Sequence, residues 1–214
     1  MINSSAIRKK LVLFDFDGTI ADTMLPGLRI SNKLADKYHY QKVQLNELAE
    51  FRGKSSKEVL KRINLPWYKL PFVTRSFRKA MQNEIGTIPP FKGIYDAIKG
   101  LHEKGYQLGI ITSNAEGNIN EFLHNNKLDI YFSVKRCGIS LFKKHYYINR
   151  LLDKMDMKPE EVVLVADETR DIEAAKKSEI EMIAVTWGFH PKSTLEKLDP
   201  DHLIDSPDQL LDIL

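Results

Sequence analysis

Residues 11–23 read LVLFDFDGTIADT, and the reading of this stretch decides the fold. Leu11 to Phe14 is an unbroken apolar run that gives way to Asp15, Phe16, Asp17, Gly18 and Thr19, the pattern of a buried strand ending in a polar, Gly-bearing turn. In a parallel α/β sheet, ligands bind at the carboxyl ends of the strands, so two carboxylates placed there suggest chemistry. Strand alternation would put Asp15 and Asp17 on one side, close enough to share a cation or a reacting group. A lone DxD is also an ordinary turn, and its meaning depends on what the rest of the chain brings to the same edge.

Beyond Thr23 the pattern turns helical. Leu28, Leu34, Ala35 and Tyr38 recur at helical spacing over 25–38. Ser55 and Glu58 fit a capping box for a helix with Val59, Leu60 and Ile63 on its apolar face, ending before Pro66. A third helix is expected over 72–85, with Phe77, Ala80 and Met81 inward. Nothing between Asp22 and Gly86 reads as a strand, so a helical cap, residues 23–86, is expected to interrupt a core made of 1–22 and 87–214.

After the linker GTIPPF, residues 86–91, strands and helices alternate. Strands are expected at 108–111, 131–134, 162–165 and 182–185, with Leu203 and Ile204 as an edge strand. Helices are expected at 94–101, 119–123, 145–155, 169–177 and 207–214. Such alternation predicts an α/β fold, a doubly wound parallel sheet.

Composition narrows the function classes. The chain has 214 residues, 43% of them hydrophobic, enough for one domain or a core with a modest insertion. Lys and Arg number 32 against 29 Asp and Glu, a net +3 scattered in both signs, which does not suggest nucleic-acid binding. The opening MINSSAIRKK is basic, but the apolar run behind it is too short for a secretory signal or a membrane span. Cys137 is the only cysteine, which excludes an intrachain disulfide and a thiolate zinc cluster and makes a cytoplasmic location the default; the residue reads as a small packing side chain.

Three strand ends carry polar residues: Asp15 with Asp17, Thr112 with Ser113, and Asp167 with Asp171 four residues further on. A parallel sheet gathers such ends on one edge. Carboxylates that converge repel unless neutralised, and without a histidine cluster the natural partner is a hard, oxygen-liking cation such as Mg²⁺. A hydroxyl, free strand-end amides and a lysine would suit the same place to a phosphate.

The motifs DFDGT, ITSN, FKK and ADETRD, in that order, resemble the four motifs of the haloacid dehalogenase-like hydrolases, and the resemblance covers nearly the whole chain. The helical insertion after the first motif resembles the small cap of the phosphoglycolate phosphatase and β-phosphoglucomutase branch. The resemblance implies a Rossmann-like core and a Mg²⁺-dependent phosphomonoester hydrolase acting on a small phosphorylated metabolite, as monomer or homodimer, with neither nucleic acid nor membrane as partner. Asp15 would be the nucleophile, and Asp17 the acid and base whose main-chain carbonyl also binds the metal. Thr112 would hydrogen-bond the phosphoryl group, helped by the Ser113 amide, and Lys144 would neutralise charge on Asp15. Asp167 would ligate the metal, with Asp171 supporting that shell. Gly18, Thr19, Ser113 and Asn114 would complete the substrate site, with Arg52, Gly53 and Lys54 of the cap as contacts for an anion.

Two positions depart from the family pattern. Ala166 stands where Gly is usual, and Lys143 occupies the Gly place of the FGK-like motif, leaving Lys143 and Lys144 both open for one role. Each site assignment also has a structural reading: Thr112 as a strand-terminal hydroxyl, Asp171 as a helix-start residue and Arg52 as a solvated loop charge; Trp187, Gly188 and Phe189, which follow a core strand, read as packing or as the lining of the entrance. A phosphomutase on the same chemistry and a noncatalytic binding protein are the alternative functions. Dehalogenation is disfavoured by Asp17, which resembling dehalogenases lack.

Overall fold

The computed structural model describes residues 9–54, 56–140 and 142–214; the expected capping role of Ser55 lies outside these. Among the described residues, six strands form one sheet in the order β3-β2-β1-β4-β5-β6. They are β1 (Leu11–Phe14), β2 (Gln107–Ile111), β3 (Phe132–Arg136), β4 (Val162–Ala166), β5 (Glu181–Val185) and β6 (His202–Ile204). Every neighbouring pair is parallel. The motif-bearing strand β1 therefore lies centrally, with Phe14 opposite both Ile110 of β2 and Val165 of β4.

The period of two along these strands divides the core. Val12, Phe14, Val163, Val165, Ile183 and Val185 face one layer. Leu11, Leu13, Val162, Leu164, Ala166, Met182 and Ala184 face the other. Helices α1 (Met24–Tyr38), α2 (Leu48–Arg52), α3 (Ser56–Arg62) and α4 (Leu70–Gln82) follow β1. Then α5 (Ile94–Glu103) and α6 (Glu116–Asn125) cover the first face, and α7 (Lys144–Met155) and α8 (Thr169–Lys177) the second. Burial on both faces explains why the strands read as continuous apolar runs.

The segment after β1 holds a small apolar cluster of its own, built on Ala35, Tyr40, Val43, Ile63, Leu65 and Val73. Ile30 and Met81 join the main core instead, anchoring α1 and α4 to it. No helix among the described residues is long and apolar enough to cross a membrane.

Element boundaries differ from the sequence expectation where local chemistry overrides periodicity. The predicted 72–85 helix starts earlier, at Leu70, because Pro71 occupies a first-turn position that needs no amide donor, and Ile85 belongs to a separate 3₁₀ turn. The last helix begins as a 3₁₀ turn closed by a capping box between Ser206 and Gln209. The strand expected at 131–134 runs over Phe132–Arg136, displaced by an irregular register beside Leu108 and Gly109. Helix α2, too short for any periodicity, was not anticipated.

Candidate active site

Strand β1 stops at Phe14, so a turn and not strand alternation brings Asp15 and Asp17 to one recess. The Phe16 carbonyl accepts the amides of Ile20 and Ala21, so the chain past Asp15 coils into a tight turn. The two carboxylates then face different partners. Asp15, 4% exposed, takes the Phe16 amide on Oδ1 at 2.7 Å and the Lys144 ammonium beside Oδ2 at 3.0 Å. Asp17 receives the Asn114 amide nitrogen at 3.2 Å on each oxygen. Asn114 is itself oriented by Asn118, whose Nδ2 donates to Asn114 Oδ1 at 2.8 Å.

Beside Asp15 stand the carboxylates that follow β4. Asp167, fully buried, is gripped by the Thr19 hydroxyl on Oδ1 at 2.8 Å and by the Phe189 amide on Oδ2 at 2.7 Å. Asp171, also fully buried, meets Lys144 at 2.5 Å through Oδ1. Among the described residues, Asp15, Asp167 and Asp171 form a group with one oxygen from each within 4.8 Å of the others. The side chain of Asp17 is not part of that group, so any part for it at a cation falls to its main-chain carbonyl.

The donor set fits a hard divalent cation. It consists of oxygens alone, and Asp171 Oδ2 is buried with no hydrogen-bond donor among the described residues. Glycines make the space. Gly18 has φ +80, and a Cβ there would strike Asp167 Oδ2; one on Gly188 would strike Asp167 Oδ2 and the Gly18 carbonyl. Gly188 therefore belongs to the site, although the sequence reading set residues 187–189 aside as packing.

Electrostatics follow from this crowding. Burial, then neighbouring Asp171 and Glu168, push the Asp15 carboxyl up to about 7 against the pull of Lys144. Desolvation also raises Asp17, opposed by the Thr23 hydroxyl and the Asn114 amide. Asp167 is raised well above the carboxylate range by burial and by the charges of Glu168 and Asp15. Burial alone would depress Lys144, but Asp15 and Asp171 outweigh it and keep the ammonium charged.

Lys144 is buried while Lys143 is exposed, which separates the two candidate lysines geometrically. Thr112 is buried, with its hydroxyl accepting the Asn114 amide at 3.0 Å, and Ser113 lines the same recess as Asp15, Asp17 and Lys144. Arg170, which the sequence reading did not single out, also lines that recess and pairs with Glu168.

Arg52 lies outside the small recess and lines the larger cavity that Asp17 also lines. Its guanidinium donates to the carbonyls of Gly188 at 2.7 Å and Phe189 at 3.2 Å, tying α2 to the loop that holds Asp167. His190 strengthens the seam: Nδ1 accepts the Thr169 amide at 2.9 Å, so Nε2 carries the hydrogen and donates to the Lys54 carbonyl at 3.0 Å. Gly53 is an exposed turn residue. Cys137 is half-buried against the core, its thiol pushed up to about 11 by burial.

Residues 12–185 match the model of a family described as haloacid dehalogenase-like hydrolase. A phosphoglycolate phosphatase from Synechococcus elongatus is 33% identical over 205 residues, covering 94% of each chain. The pyrophosphatase PpaX of Bacillus mycoides is 29% identical over 209 residues, covering 95% of each. Among solved structures, a haloacid dehalogenase-like family hydrolase from Streptococcus pneumoniae superposes with TM-score 0.79 at 20% identity, covering 96% of this chain and 98% of that one. CbbY from Rhodobacter sphaeroides, solved in complex with phosphate, gives 0.74 at 21%, covering 94% and 96%. At such identities these two likenesses speak to the fold alone.

Proposed function

The chain belongs to the haloacid dehalogenase-like hydrolase family, and from that premise we propose that it is a Mg²⁺-dependent hydrolase of small cytosolic phosphate esters, working through an aspartyl-phosphate on Asp15. In this reading residues 1–22 and 87–214 supply the catalytic core and 23–86 the cap. The supporting observation is the setting of Asp15, buried 3.0 Å from the Lys144 ammonium with Asp17 lining the same recess.

Asp15 attacks phosphorus as the bond to the leaving oxygen breaks, and Asp17, raised by desolvation, gives that oxygen its proton. Water then attacks the phosphoryl group, Asp17 takes the proton back, and the Asp15 carboxylate is released. Lys144 holds the Asp15 carboxylate in place and offsets charge, while Thr112 and the Ser113 amide receive the phosphoryl oxygens. Asp15, Asp167, Asp171 and the Asp17 carbonyl would hold the Mg²⁺, which when bound neutralises charge on carboxylate and phosphoryl oxygens. The cap closes over the recess and limits access to one water.

Relatives named for phosphoglycolate and for pyrophosphate support a small phosphorylated substrate. The test is phosphate release from a panel containing both compounds and simple phosphate esters, with and without Mg²⁺. Release should require Mg²⁺ and vanish in Asp15→Asn. Release that survives the substitution, or none from any compound, contradicts the proposal.

A further inference from the structure

Asp17 stands at a junction. On one side is a small recess of about 10 Å³ lined by Asp15, Asp17, Ser113, Lys144 and Arg170. On the other opens a cavity of about 390 Å³ between cap and core, which shares Asp17 and Arg170 with the recess. That volume lies in the range of small-molecule pockets, roughly 300–1,000 Å³. Its wall is mostly hydrocarbon: Met24 and Leu28 from α1, Leu60 from α3, Phe77 from α4, and Phe142, which precedes α7. Phe142 is 48% exposed, a large apolar ring left without full packing beside a mouth of the site.

The charged groups along this cavity are engaged. Among the described residues that line it, Arg52 is held by two carbonyls, Lys54 pairs with Glu50 at 3.1 Å, and Arg170 pairs with Glu168. His190 is engaged through both ring nitrogens, with the Thr169 amide and the Lys54 carbonyl. A second anionic group on the substrate would enter a wall of mostly hydrocarbon, where the described cations are already held by carbonyls or carboxylates, whereas a methylene chain or ring would gain from leaving water. A carboxylated ester would turn instead into the neighbouring cavity of about 250 Å³, toward Arg78, whose guanidinium donates to the Ile139 carbonyl at 3.2 Å and keeps Nε without a partner among the described residues, so phosphonoacetate is the competing ligand to test.

We infer that the preferred substrate is a phosphate monoester of an apolar alcohol, its phosphoryl group at the junction beside Asp15 and Asp17 and its hydrocarbon in the larger cavity. The inference rests on Asp15 and Asp17 as the transfer pair. An Asp15 carboxylate oxygen bonds to phosphorus as the P–O bond to the alcohol breaks at the junction, and the alcohol oxygen takes the proton of Asp17 while its hydrocarbon lies in the cavity.

Non-hydrolysable n-alkylphosphonates, from methyl to octyl, test the ligand class by calorimetry in the presence of Mg²⁺. Affinity should rise roughly fourfold for each added methylene until the cavity is filled, and propylphosphonate should bind more tightly than phosphonoacetate. Phe142→Ser and Met24→Gln, at side chains outside the main apolar clusters, should each flatten the ladder; circular dichroism checks that they fold. A flat ladder in the parent, tighter binding of phosphonoacetate, or a ladder unchanged in both variants overturns the inference. In a parallel assay, n-alkyl phosphates share one kind of leaving group. Asp15-dependent release that favours phosphoglycolate over butyl phosphate overturns the inference and leaves the hydrolase standing. No Asp15-dependent release from any ester overturns both.

Discussion

The ammonium of Lys144 lies 3.0 Å from Oδ2 of Asp15, although helices α1 to α6 and strands β2 and β3 separate the lysine from the motif strand in the sequence. The pair is buried, and Lys144 also meets Asp171 at 2.5 Å. Removing the cation would leave two carboxylates uncompensated, which costs about 3–5 kcal/mol for a buried pair. Lys144→Met should therefore lower the melting temperature and reduce kcat at least 100-fold. Lys143→Ala, at an exposed side chain, should change either by little. Thermal melts and steady-state rates on the two variants decide between the lysines.

Gly188→Ala places a methyl group against Asp167 Oδ2 and the Gly18 carbonyl, both backed by fixed structure. Overpacking of this kind costs about 1–3 kcal/mol. The larger effect should fall on the cation: titration with Mg²⁺ should show at least tenfold weaker binding than in the parent. A variant with unaltered affinity would place the metal away from Asp167.

Arg52 fastens α2 to the Gly188 and Phe189 carbonyls. Arg52→Gln should loosen that seam, raising KM about tenfold for every ester in a panel and speeding amide exchange over α2. Were Arg52 a direct ligand for an anionic tail, the loss would be confined to substrates that carry one.

The Asp15 carboxyl titrates near 7 when folded and at 3.8 when free. Folded protein therefore binds more protons than unfolded protein between those values, so this group's contribution to stability is greatest below about pH 4 and is lost as pH rises through 7. At about 1.4 kcal/mol per pH unit the ceiling is about 4 kcal/mol. In metal-free buffer, the parent should lose stability relative to Asp15→Asn as pH goes from about 5 to about 8. Because a cation binds the ionised carboxylates, the gain in melting temperature on adding Mg²⁺ should grow over the same interval. Denaturant melts at both pH values, with and without Mg²⁺, check both signs.

Much of the fold was legible because β1, β4 and β5 are buried on both faces and so read as apolar runs closed by polar turns. The convergence of Asp15 and Asp167 followed from parallel alternation, since β1 and β4 are neighbours. The separate fates of Asp15 and Asp17 were not legible, because they depend on where β1 ends and on the Asn118–Asn114 amide contact from α6. Arg170 escaped notice, and Gly188 read as packing, for a similar reason. Their importance lies in what a side chain at one position meets across the chain, and neither spacing nor residue type reports that. Arg52 was noticed for its charge, yet its partners are backbone carbonyls, which a sequence does not mark.

The most direct test of the central claim is mass spectrometry of acid-quenched enzyme, mixed for less than one turnover with a hydrolysable ester and Mg²⁺. One added phosphoryl group is expected on the peptide containing Asp15, transient in the parent and absent from Asp15→Asn. Turnover without that adduct, or an adduct on another residue, would contradict Asp15 as the nucleophile.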